Sequence, residues 1–326
     1  MKPAFSVIFL TTLIGAAQGL FLALFTAQSY ALFNLLPVQN SQSFYAVGAL
    51  LVLVLSALGL ASSFLHLGRP ERAWRSAAMW RTSWLSREVI VLPAFMGLVL
   101  LYGIAHLTGW KPTVATLPYG IVIDATLVLG VMGTVLAFAL FICTAMIYAC
   151  LPFLREWHSP LTVINYILLG SASGFTLAAA FAAGAAPELA RFYATWALII
   201  TLLAFASRGA SLLRNDRLRP KSTLQTAIGI KHPRIVQKSA GFMGGSFNTR
   251  EFFHGKSPAT LRSVKWVFLA AVFVFPMLLL AAGLWAASPA ALPLVLAVQY
   301  LGLLAERWFF FAQANHPQNL YYQAIA

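Results

Sequence analysis

The chain has 326 residues, 60% of them apolar and 9% charged, with a mean hydropathy of +0.80 and a net charge of +14 at pH 7. A soluble domain carries about 45–50% apolar and about 25% charged residues, so a water-soluble enzyme is excluded, as are intrinsic disorder and, with only Cys143 and Cys150 present, a disulfide scaffold. The basic excess would suggest nucleic acid in a soluble protein. In a membrane chain it reads instead as loop cations on one side, with no nucleic-acid partner.

A hydrocarbon core about 30 Å thick takes about 20 helical residues to cross. Eight apolar segments suit that length: 4–34, 43–66, 84–106, 119–150, 161–183, 189–213, 263–286 and 290–313. They predict an all-α polytopic membrane helix bundle in one integral domain, 1–326. The first and fourth are overlong and are expected to project past the bilayer, and the last two are separated by Ser288 and Pro289 alone. Residues 1–34 lack the short apolar region and small-residue cleavage site of a signal peptide.

In chain order, the first chemistry-bearing residue at a span end is His66, in Phe64-Leu65-His66-Leu67-Gly68-Arg69-Pro70. Gly68 suits a helix C-terminus and Pro70 forbids continuation. A histidine here either caps the last carbonyls or hydrogen-bonds a quinone carbonyl and exchanges its proton near neutral pH. The third span opens at Ser83, a good N-cap, and places Glu88 about 7–8 Å inside. Glu88 is either a helix-dipole acid paired with Arg87 or Arg81, or a proton-handling carboxylate at a ligand pocket. His66 and Glu88 flank one short loop, so both fall at the same membrane face. Asp124 opens the fourth span and is expected to cap it. Cys143 and Cys150 are seven apart on that span and read as small apolar helix residues.

The segment 208–262 is a long basic loop, read as a docking surface on the cytoplasmic side. Its Gly255-Lys256-Ser257 resembles the end of a phosphate-binding loop, but the required first glycine falls at Arg250. Glu306 and Arg307 end the last span. The aromatic run Trp308–Phe311 and the tail through Tyr322 read either as an interfacial belt or as packing against a partner.

With an even number of spans, all but two of the 22 basic residues, Lys111 and Arg191, fall on one side. This asymmetry predicts N-in, C-in topology in the inner membrane. The six histidines all sit in loops or at span ends, so no mid-membrane pair is available for haem, and two cysteines cannot hold an iron–sulfur cluster. No metal site is expected in this chain.

At Ser63-Phe64-Leu65-His66-Leu67-Gly68-Arg69-Pro70, followed by Ser83-Trp84-Leu85-Ser86-Arg87-Glu88, with Glu306-Arg307-Trp308 as a weaker match, the chain resembles the dimethyl sulfoxide reductase anchor-subunit family. The resemblance covers most of the chain. It implies an eight-helix membrane subunit in a heterotrimer with an iron–sulfur subunit and a molybdopterin catalytic subunit. It also implies that quinone, ubiquinone or menaquinone, binds at His66 and Glu88, with Arg69 and Arg87 beside them. Arg72, Arg75, Arg81, Glu306 and Arg307 are then expected to dock the partner. The respiratory reductase of that family has its catalytic unit outside, whereas the cation asymmetry here places it in the cytoplasm. That orientation resembles the membrane subunit of the cytoplasmic sulfite-oxidising molybdoenzyme. The expected function is electron transfer from the iron–sulfur subunit to the quinone pool during sulfite oxidation. The alternatives are a quinol-oxidising anchor, a secondary transporter of an anionic solute, and a purely structural anchor.

Overall fold

A computed structural model describes residues 1–65, 67–116, 118, 121–219, 222–239 and 251–321. Among them, eight helices are long and apolar enough to span a membrane: α1 Phe5–Leu32, α2 Ser41–Phe64, α3 Trp84–Thr108, α4 Ala125–Ala149, α5 Pro160–Ala185, α6 Pro187–Asp216, α7 Pro258–Trp285 and α8 Leu292–Ala312. The boundaries follow local chemistry. The Ser83 side chain accepts from the Ser86 amide at α3, and Asp124 accepts from the Leu127 amide at α4, both N-caps as expected. Prolines at the first helical positions start α5, α6 and α7.

Two boundaries differ from the expectation. The fourth span begins at Ala125 rather than 119, because an antiparallel pair, β1 Thr113–Thr116 and β2 Val122–Asp124, occupies the connection. The basic segment is also shorter than 208–262. Arg208 lies inside α6, which continues to Asp216, and α7 already starts at Pro258. The shorter connection contains a helix at Leu224–Ile228, and the Gly255-Lys256-Ser257 run leads directly into α7, with Ser257 as its N-cap.

α1 is the spine of the bundle and packs on α2, α4, α5 and α8. Its approach to α5 is close enough to require glycine on both sides. A Cβ on Gly174 would lie 2.1 Å from the Gly19 carbonyl carbon, and one on Gly19 would lie 2.3 Å from the Gly170 oxygen. Small residues four apart on each helix permit this backbone contact, which is how helices associate where lipid removes the hydrophobic drive.

Along α1 the core is polar at two levels and dry between them. Gln18 donates to the Ala137 carbonyl at 2.7 Å. Gln28 donates to Thr126, which donates to Asp124, and Tyr102 donates to Gln28, each at 2.7 Å. The two glutamines stand about 15 Å apart along the helix. Between them Leu20, Phe21, Leu22, Ala23, Leu24 and Ala27 are buried, and the Phe21 ring meets Phe95 at 5.6 Å and Tyr102 at 5.4 Å.

The chain ends meet on one face of the bundle, the face that also carries the 67–83 loop. The Met1 amino group donates to the Ala314 carbonyl at 2.7 Å, and the Lys2 amide to Glu251 at 2.9 Å. Asn319 donates to the Phe252 carbonyl, and His316 stacks on the Phe252 ring at 3.8 Å. Burial, aided by the nearby positive amino terminus, lowers the pKa of both His254 and His316. The aromatic end of α8 is internal rather than a belt. Phe309, Phe310 and Phe311 are buried, and Phe310 stacks on Trp157, whose indole N–H bonds the Phe310 carbonyl at 2.8 Å.

Candidate functional site

Glu88 sits one turn into α3. Its neighbour Arg87 turns outward to the loop, donating to the carbonyls of Trp80 at 2.9 Å and Arg81 at 2.8 Å, with its guanidinium 4.2 Å from the Trp84 ring. Arg87 thus clamps the 67–83 loop onto α3. Glu88 turns inward and is 8% exposed. The Thr144 hydroxyl of α4 donates to its Oε1 at 2.5 Å. That separation falls in the range of hydrogen bonds to an ionised carboxylate.

Behind Glu88 lies a cavity of about 20 Å³, lined by polar groups of four other helices, among them Thr11 and Gln18 of α1, Thr144 of α4, Tyr166 of α5 and Arg307 of α8. It has room for about one water. Across it, α6 and α8 contribute a buried ion triad that the sequence did not suggest. Arg208 Nε lies 2.8 Å from Glu306 Oε1, and Arg307 Nε lies 2.8 Å from Glu306 Oε2. Their exposures are 1%, 1% and 4% for Arg208, Glu306 and Arg307. The Arg307 guanidinium also covers the Tyr166 ring at 4.1 Å, and Arg208 covers Phe268 at 5.6 Å. Glu306 and Arg307 were expected on a docking surface. They face the interior instead, because the helix turn carrying them packs against α6 and α5, where each charge finds its counter-ion.

The remaining expected residues divide by side. His66 lies outside the described residues. Arg69 is the residue before a 3-10 helix, Pro70–Met79, and is exposed, as are Arg72, Arg75 and Arg81. Arg72 is 3.8 Å from Glu71. Trp74 and Trp80 are exposed beside them, with Arg75 over Trp74 and Arg81 over Trp80. Phe64, Leu65, Leu67 and Leu85 form an exposed apolar lip where α2 ends and α3 begins. The structure therefore separates the predicted set. Glu88 is interior beside the triad, Arg87 braces the loop, and the other arginines decorate the loop surface.

The family model described as DMSO reductase anchor subunit (DmsC) matches residues 1–312. A membrane-anchor relative, a subunit of the sulfite dehydrogenase of Allochromatium vinosum, is 57% identical over 326 residues, covering the whole of both chains.

Proposed function

The chain belongs to the DMSO reductase anchor subunit family, a membrane anchor subunit of a molybdoenzyme complex, and on that premise we propose that it passes electrons from a docked iron–sulfur subunit to the membrane quinone pool during sulfite oxidation. The full-length likeness to a sulfite dehydrogenase subunit supports the substrate. The observation that carries the site is Glu88: a buried carboxylate one turn inside the membrane, directly behind the exposed apolar lip of Phe64, Leu65, Leu67 and Leu85.

The inner cavity holds a water rather than a quinone ring, so the residues fit a headgroup held outside it, at the opening between α2 and α3. When bound there, quinone accepts two electrons and two protons. His66 holds one carbonyl oxygen by a hydrogen bond. Glu88, oriented by Thr144, gives a proton to an oxygen of the headgroup and regains one from the aqueous side. The apolar lip admits the carrier from lipid and excludes water. Arg69, Arg72, Arg75 and Arg81, interleaved with Trp74 and Trp80, make the surface on which the iron–sulfur subunit docks, arginine and tryptophan being the residues that anchor interfaces. The cation asymmetry supports a cytoplasmic position for that surface in the inner membrane. A transporter would need charges at the bilayer midplane, whereas these cluster near one end of the bundle.

His66→Ala and Glu88→Gln, each in the assembled complex, test this reading. Each is expected to lower sulfite-dependent quinone reduction by about 10²-fold or more, while sulfite oxidation with a soluble artificial acceptor continues. Quinone-linked turnover that survives both substitutions refutes the site.

A further inference from the structure

The interior around the cavity has an incomplete charge set. Arg208 and Arg307 bring two positive charges and Glu306 one negative, all but sealed from solvent. A net positive charge there is costly in a low-dielectric interior. Arg307 also has a terminal nitrogen, NH1, buried without a hydrogen-bond partner, and it lines the cavity that Glu88 lines from the other side.

We propose that Glu88 is the fourth member of this set, and that Arg307 holds its carboxylate through a water in the cavity, making Arg307 a positioning residue for proton transfer at Glu88. This rests on the reading of Glu88 as the proton donor for its functional meaning, but not for its physical test. Three independent features agree. The Thr144 hydroxyl donates to Glu88 at 2.5 Å, a separation suited to an anion. The cavity fits one water and has polar groups to hold it. An ionised Glu88 brings the buried set to neutrality. The other titratable groups near Glu88 are Cys143 and Tyr148 of α4, Tyr166 of α5 and, outward, Arg87 of α3 itself. From α1 the cavity receives only uncharged groups, Thr11, Thr12 and Gln18. Arg307 is thus the cation that faces Glu88 from within.

In proton transfer the O–H bond of Glu88 breaks and an O–H bond forms on the acceptor. The carboxylate left behind is balanced across the water by Arg307. Protonation from the aqueous side restores the acid and returns the buried set to one excess positive charge. Charge pairing over a water-wide gap biases such an equilibrium on the order of tenfold.

Infrared difference spectroscopy of the purified complex, without added quinone, tests this. The Glu88 band is identified as the one lost in Glu88→Gln. In the wild-type complex at neutral pH it should be a carboxylate band. In Arg307→Met the protonated-acid band should grow at least threefold, and in Arg307→Lys it should return most of the way. An unchanged Glu88 band in Arg307→Met overturns the proposal. So does a protonated Glu88 in the wild-type complex, a result that needs no variant to fold. Because no quinone is present, a failure of the quinone assays leaves this outcome readable on its own.

Discussion

Glu306 holds two guanidinium groups at once, one on each carboxylate oxygen, at 2.8 Å in both cases. Removing it leaves two buried cations uncompensated. Breaking a buried pair in this way costs about 3–5 kcal/mol. Glu306→Ala is therefore expected to lower the melting temperature of the detergent-purified complex sharply, and the paired change Arg208→Met with Glu306→Met much less. Equal melting of Glu306→Ala and wild type would show that the triad bears no stability. The sequence concealed this triad for a physical reason. Arg208 follows a long apolar run, and a charge there reads as the end of a span. Leu212 and Leu213, one turn further on, were the available sign that the helix continues. Its partner lies 98 residues away on α8, and no local pattern reports so distant a pairing. Ser83 and Asp124, by contrast, were legible as caps because the amides they bind lie only three residues downstream.

Among the helices, the tightest constraint is the α1–α5 crossing, where backbone meets backbone. Gly174→Ala would force the helices apart or bend one of them, since its Cβ would stand 2.1 Å from Gly19. Overpacking of this kind costs about 1–3 kcal/mol, and the expected result is reduced recovery of assembled complex with a lower melting point. Wild-type yield and melting would contradict so close a contact in the membrane. A second constraint shapes α7. Pro276 lacks the N–H that would bond the carbonyl of Val272, and the helix widens into a π turn over Leu269–Val274. Gln299 of α8 donates to that carbonyl at 3.4 Å and to Thr201 at 3.2 Å, so the group freed by proline is satisfied within protein rather than left to lipid. Span number and placement were readable from apolar run length alone. The π turn and the glycine crossing were not, since both depend on which helix lies opposite.

Taken whole, the bundle has polar chemistry near both ends and none through its middle. Glu88, the cavity and the triad lie toward the face of the 67–83 loop. The Gln28, Thr126 and Asp124 network lies toward the other. About 15 Å of apolar side chains on α1 separate the two levels, with Phe21 closed against Phe95 and Tyr102. A proton taken up at Glu88 has no hydrogen-bonded route across. Sulfite-driven quinone reduction by the complex in sealed liposomes is thus expected to proceed without a voltage-sensitive dye response and without stimulation by uncoupler. A membrane potential built during turnover would disprove the separation. The motifs around His66 and Glu88 directed attention to one face of the bundle. They did not reveal that Glu88 looks inward, because two adjacent residues on a helix face different surroundings and only packing decides which surrounding is which.

The Leu, Phe and Ala sleeve around the middle of α1 makes the subunit an insulator. Electrons leave it in a neutral hydrogen carrier, and the bilayer's capacitance is not charged as they do. The energy of the substrate's oxidation stays stored in the reduced lipid, to be harvested by whichever enzyme next oxidises that carrier.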